Sequence, residues 1–332
     1  MATAVTTRQQ QRAAEANVIT RKQRSLWKDA LARLLRNKAA IAGMIVILIA
    51  ALVAIFSEVR IDAIGLHFRL APYDPVSDQN TPKALMEPIW TQAFGSKYTD
   101  PAYLLGSDQL GRDILSRLMF GSRISLVVGF VPVAIVFMIG GTIGMLAGYV
   151  GGWVDNLLMR FTDIIYAFPD LLFVIIIVAT LRGTALGEAY DGLLVIFVGI
   201  AVVNWVGVAR LVRGQVLSVK NREFVEAARA VGAGPGRIMR KHIFPNILAP
   251  VIVTVAFAIP GAMLTESVLS FLGIGIRPPT PTWGVMINEG FIVFSTSPWP
   301  VLLPSLCISI VLLAFTFVGD GLRDALDPRS KM

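Results

Sequence analysis

The 332-residue sequence has almost nothing that a soluble catalyst or a metalloprotein needs. It has one cysteine, Cys307, so no disulfide can close within the chain, and two histidines, His67 and His242, too few for a multi-ligand metal site. Charged residues make up only 16% against 55% apolar, which excludes a disordered chain and most soluble enzymes of this length. No Gly-x-x-x-x-Gly-Lys-Ser/Thr run is present to cradle nucleotide phosphates; Gly95-Ser96-Lys97 lacks both the upstream glycine spacing and the following hydroxyl. His-Glu-x-x-His and Gly-x-Ser-x-Gly are also missing, so no catalytic or cofactor-binding role is expected.

What is present is apolar residues gathered into blocks long enough to cross a bilayer. Ala39 to Ser57 carries no charge and covers about 28 Å as a helix. Five further blocks follow, near 124–148, 162–181, 192–209, 246–271 and 301–319; the block at 162–181, the third of the six, holds Asp163, Pro169 and Asp170, and that at 246–271, the fifth, holds Pro260 and Glu266. The predicted fold class is an all-α integral membrane protein with six transmembrane helices. The chain divides into a basic tail (1–38), a first anchor read as uncleaved (39–57), an external segment with a surface helix from Ile114 (58–123), a five-helix core (124–319) and a short tail (320–332).

Lysine and arginine set the orientation, because loops on the cytoplasmic side retain them. They crowd the tail from Arg8 to Lys38, the segment from Arg210 to Lys241, and the end of the chain at Arg323, Arg329 and Lys331. With six spans these regions share one side, so both termini are expected in the cytoplasm. The net charge of +8 therefore reports topology and membrane lipid, and nucleic acid is not an expected partner.

Between the fourth and fifth blocks, Phe224, Ala227, Ala228 and Val231 stand at i, i+3, i+4 and i+7, one narrow apolar stripe on a helix that ends at Gly232. A second short helix, Arg237 to Phe244, is expected to close at Pro245. The spacing of Glu226-Ala227-Ala228, Gly232 and then His242-Ile243-Phe244-Pro245 resembles the EAA loop of ATP-binding-cassette importer permeases, although the family form ends Ile-x-Leu-Pro. Leu105-Gly106-Ser107-Asp108-Gln109-Leu110-Gly111-Arg112-Asp113 and Glu266-Ser267-Val268-Leu269-Ser270-Phe271-Leu272-Gly273 are similar to stretches of the second, C-type permease subunit of dipeptide, oligopeptide and nickel importers.

The resemblance implies a type I importer permease fold. It implies a sister permease, two cytoplasmic ATPase subunits that use ATP and Mg, and an external substrate-binding protein as partners. It further implies that Phe224, Glu226, Ala227, Ala228, Gly232, Ala233, Ile243 and Pro245 form the ATPase-coupling element. Gly106, Asp108, Gly111, Arg112, Asp113 and Glu266 then mark an external signature. Asp170 reads equally as a group lining the translocation path or as a helix-end residue. The competing reading is an ion-coupled secondary transporter built on Asp163, Asp170 and Glu266.

Overall fold

The computed structural model describes residues 26–61 and 66–327. The basic residues expected to mark the tails at Arg8 through Arg24 and at Arg329 and Lys331 lie outside the described residues. A short amphipathic helix, α1 (Leu26–Leu34), precedes the anchor α2 (Lys38–Phe56). Asn37 caps α2, its side-chain oxygen accepting from the amides of Ala39 and Ala40 at 3.0 and 3.2 Å. One small departure from an all-helical chain follows, an antiparallel pair β1 (Val59–Ile61) and β2 (Leu66–Phe68).

The expected surface helix at Ile114 is not a separate element. It is the start of α3 (Ile114–Val150), 37 unbroken residues or about 55 Å, longer than the lipid core is thick. Periodicity at Ile114, Leu115, Leu118 and Met119 marks where this helix leaves the membrane and packs on the external segment. Five of the described helical runs are long and apolar enough to span, and one bent pair of helices is so only when taken together, as a broken span or a re-entrant loop. In it, α4 (Gly152–Tyr166) and α5 (Asp170–Leu181) meet at an angle of 83° across Ala167-Phe168-Pro169. Pro169 cannot continue the ladder of α4, so the expected single span over 162–181 is a corner.

The next helix, α6 (Leu193–Val219), runs ten residues past the expected end at Ala209, because Arg210 and Arg213 find carboxylates on α4: Arg210 lies 2.7 Å from Asp163 and Arg213 contacts Asp155 at 2.5 and 2.7 Å. The helices that follow are α7 (Glu223–Ala230), α8 (Pro235–Phe271), α9 (Trp283–Phe291) and α10 (Trp299–Leu326), and shorter helical turns lie at Thr81–Lys83, Ile89–Phe94, Ala185–Glu188 and Ala189–Gly192.

The closest helix pair is α3 against α6. Gly140, Gly144 and Gly148 lie on one face of α3, and a Cβ placed at Gly144 would meet the carbonyl oxygen of Ala209 at 2.3 Å. Lipid tails offer no hydrophobic drive for helices to associate, so this backbone approach and its dispersion contacts supply much of the cohesion. Around it Val136, Trp205, Val208 and Val212 form one buried cluster, and a second joins α3, α6, α8, α9 and α10 through Ile114, Val128, Ile196, Met263, Trp283 and Phe315.

Candidate functional site

Two places carry polar or exposed features that lipid packing does not demand: a junction of the loop before α3 with α9, and an elbow between α6 and α8.

At the junction, residues expected as an external signature come together with two that were not in that set, Arg117 and Glu289. Asp108, Arg112 and Arg117 are all buried. Asp108 contacts Arg112 at 2.7 Å and Arg117 at 2.5 Å, and Glu289 on α9 meets the same two arginines at 2.8 and 2.7 Å. Two cations thus share two anions, which offsets the cost of removing four charges from water. Asp108 also accepts from the amides of Leu110 and Arg112, closing the loop on itself. Gly111 sits there at φ 73°, where a Cβ would strike the Asn80 carbonyl oxygen, so glycine is required twice over. Gly106 has φ 81° and presses on the carbonyl of Met86 in the same way.

Asp113 caps α3, accepting from the amide and hydroxyl of Ser116 at 2.7 and 2.6 Å. Burial pushes its carboxyl above the usual aspartate range, more than those hydrogen bonds pull it down. Glu289 gave little signal in the sequence: it is a lone acid in an apolar stretch, with nothing at fixed spacing to announce its partners.

Glu266 joins the same junction from α8. It is fully buried and accepts from Ser270 Oγ at 2.7 Å and Thr282 Oγ1 at 2.9 Å. Thr282 in turn caps α9 by accepting from the amide of Val285. Trp283 completes the fastening, its ring nitrogen donating to the Leu118 carbonyl at 3.1 Å. The two signature motifs, 153 positions apart in the chain between Asp113 and Glu266, therefore clamp α9 from both ends.

The three acids of the ion-coupled reading are not a constellation. Asp163 pairs with Arg210, Glu266 is closed in by hydroxyls, and Asp170 is exposed in the first turn of α5, where a carboxylate suits the positive helix end. Among the described residues no three His, Cys, Asp or Glu side chains gather in a way that could hold a metal ion.

At the elbow, α7 is only eight residues long and ends in a turn that the chain chemistry dictates. Gly232 takes φ 85°; its amide donates to Arg229 O at 2.9 Å and the amide of Ala233 reaches back to Ala228 O at 3.0 Å. That is a Schellman turn, with Ala233 and Ala228 making its usual apolar contact within the α3–α6 cluster. A Cβ at Gly232 would touch nothing within 4 Å, so its glycine serves backbone conformation and not close packing inside the chain.

The burial pattern corrects the expected stripe. Val225 is the residue turned fully inward, together with Ile238, Ile243 and Ile247, whereas Phe224 remains 40% and Val231 89% exposed. Glu226 and Ala227 lie exposed with them, and Ala228 and Ala233 are half-buried. Arg229 steadies the far side, its guanidinium 5.9 Å from the centroid of the Tyr149 ring. Pro245 also differs from expectation. It does not end a second short helix; α8 runs from Pro235 through a π turn at Met239–Ile243 into the membrane. Proline has no amide proton for Lys241 O and its ring crowds that carbonyl, which a widened turn accommodates without breaking the helix.

Comparisons with known proteins agree with this architecture. Residues 140–332 match the family profile described as binding-protein-dependent transport system inner membrane component, and residues 25–88 match that of the N-terminal TM domain of oligopeptide transport permease C. The oligopeptide transport system permease protein OppC of Haemophilus influenzae is 40% identical over 309 residues, covering 93% of this chain and 90% of that protein. OppC of Bacillus subtilis is 36% identical over 96% of this chain and 94% of its own length, and the dipeptide transport system permease protein DppC of Haemophilus influenzae is 39% identical over 89% and 92%. A solved inward-facing form of the MetNI methionine ABC transporter aligns with TM-score 0.49 at 20% identity over 63% of this chain and 96% of that one. On the family match and the full-length relatives, the chain belongs to the binding-protein-dependent inner-membrane transport components, as a C-type permease subunit of the oligopeptide and dipeptide ABC importer kind.

Proposed function

We propose that this multi-pass protein of the bacterial cytoplasmic membrane imports peptides, di- or oligopeptides, as one half of a permease heterodimer. The sister permease supplies the other half of the path, two cytoplasmic ATPase subunits hydrolyse ATP with Mg, and an external binding protein delivers the solute. Both termini lie in the cytoplasm, as the cation distribution favours.

The observation that carries the reading is the outward face of α7. A short helix fastened inward by Val225 presents Phe224, Ala227 and Val231 to water with Glu226 beside them, an apolar patch that needs a protein partner. In this reading Phe224, Glu226 and Ala227 meet the ATPase. Ala228, Ala233 and Ile243 seat α7 on the membrane helices, Gly232 makes the turn, and Pro245 sets the register of α8. Because α8 is continuous over 37 residues, about 55 Å, a push on the elbow moves its far end at the Glu266 junction as a rigid body.

The test is site-specific cross-linking in membranes. Cysteine at Ala227 should form an adduct with an ATPase subunit, and cysteine at the buried Val225 should not. Absence of any Ala227→Cys adduct in an importer that still transports removes the elbow from the coupling role.

A further inference from the structure

A cavity of about 360 Å³ opens between α3, α6 and α8, within the size range of small-molecule sites. Its wall includes Val136 on α3, Asn204 and Gly207 on α6 and Thr254 on α8, near the middle of their helices, with Gly261 and Thr265 nearer the end of α8 that carries Glu266. Every residue lining it is uncharged.

The hydrogen-bond state of the three polar side chains tilts the wall toward acceptors. Asn204 donates its amide Nδ2 to Ile200 O at 2.9 Å, Thr254 its hydroxyl to Pro250 O at 3.0 Å, and Thr265 its hydroxyl to Gly261 O at 2.9 Å. Each threonine has spent its only proton on its own helix, and Asn204 Oδ1 accepts nothing among the described residues. What remains toward the cavity is three acceptor oxygens, those of Asn204, Thr254 and Thr265, against one unspent Nδ2 proton of Asn204. An unmet amide oxygen cannot face hydrocarbon without a large cost, so this side of the molecule meets water or a polar solute. The floor is open as well: a Cβ at Gly207 or Gly261 would find no atom within 4 Å, unlike one at the packed Gly144.

We propose that this cavity is the chain's share of the solute path and that Asn204, Thr254 and Thr265 accept hydrogen bonds from the backbone N–H groups and the amino terminus of a passing peptide. The proposal rests on the importer reading and adds the chemistry of the wall to it. A neutral surface on which acceptors outnumber donors grips the N–H groups that all peptides share and carries no charge to repel or hold their side chains. None of Asp163, Asp170 and Glu266 lines it.

The experiment uses the assembled importer in cells, with Cys307→Ser as the parent and single cysteines at Asn204 and Thr265. A cationic methanethiosulfonate reagent should modify both roughly tenfold faster than cysteine at Ile45, on the exposed face of α2, because a charged reagent enters water and not lipid. After correction for their rates with free cysteine, the cationic reagent should also outpace an anionic one. Tri-alanine under transport conditions should slow the labelling. Protection from both reagents in variants that still take up tri-alanine would overturn the path assignment, and equal rates for the two reagents would overturn the acceptor chemistry. Failure of the Cys307→Ser parent and of the unmodified protein to support tri-alanine uptake would count instead against the peptide-importer reading.

Discussion

Adding a single methyl group at Gly144 tests whether the α3–α6 seam holds the core together. The new Cβ would sit 2.3 Å from Ala209 O, 2.9 Å from Val212 Cβ and 3.0 Å from Arg213 N. Two of these are backbone atoms in the middle of a helix and cannot swing aside. Relief requires α3 and α6 to part by about 1 Å, and a gap of that size forfeits up to about half of the dispersion well at each contact along the seam. The overpacking cost is about 1–3 kcal/mol. Gly141 provides the control on the same helix: its nearest atoms are Phe137 ring carbons at 3.7 and 3.9 Å, ordinary contact. There, Gly→Ala should stabilise by up to about 1 kcal/mol through helix propensity. The two variants should thus differ by roughly 2–4 kcal/mol, or about 5–10 °C in Tm for a core of this size. Thermal unfolding of the purified complex in lipid nanodiscs measures it. Equal Tm values for Gly144→Ala and Gly141→Ala would show that close backbone approach is not what joins these helices.

Asp108→Ala should cost about 3–5 kcal/mol, because Arg112 and Arg117 lose the anion they share while remaining buried; a Tm within error of wild type would mean that Glu289 alone satisfies both. At Asp113 the sign runs the other way. Its folded-state pKa lies above the unfolded one, so the group's stabilising effect is present at low pH and is lost as pH rises through the unfolded value toward the folded value. Asp113→Asn keeps the acceptor that caps α3 and should match or exceed wild-type Tm near pH 7, with the wild type gaining on it as the pH falls to about 4; Asp113→Ala should lose about 1 kcal/mol at both. Gly232→Val forces a β-branched residue to φ 85° and should disturb the elbow by at least about 1–2 kcal/mol, whereas Gly232→Asn should be tolerated. Co-purification of the ATPase subunits with each variant reads this, and equal yields from both would remove the Schellman turn from the coupling element.

The parts of this molecule that could be read in advance are those where one physical constraint acts alone. Lipid demands unbroken apolar length, so the blocks at Ala39–Ser57 and 301–319 are legible and find helices over Lys38–Phe56 and Trp299–Leu326. Their ends are less legible, because a helix continues past the lipid wherever polar partners exist. Arg210 and Arg213 look like loop cations in a hydropathy reading, yet Asp163 and Asp155 receive them and α6 carries on. The same competition hides the corner at Pro169: composition records an apolar run, and only the missing amide proton and the steric demand of the pyrrolidine ring turn it through 83°.

The elbow shows a different limit of periodicity. Over eight residues, Val225 and the stripe of Phe224, Ala227, Ala228 and Val231 are both apolar, and a 3.6-residue period cannot tell which face turns inward. Packing decides it. The inner socket is lined by β-branched Val212, Val216, Ile238, Ile243 and Ile247, and Val225 is the side chain that reaches it. Phe224, Ala227 and Val231 are left outside because the helix has already satisfied its own core through Val225 and Ala228, so these three are surplus to the fold of this chain. That surplus, more than the periodicity of the segment, is the physical ground for the proposed contact of α7 with another protein.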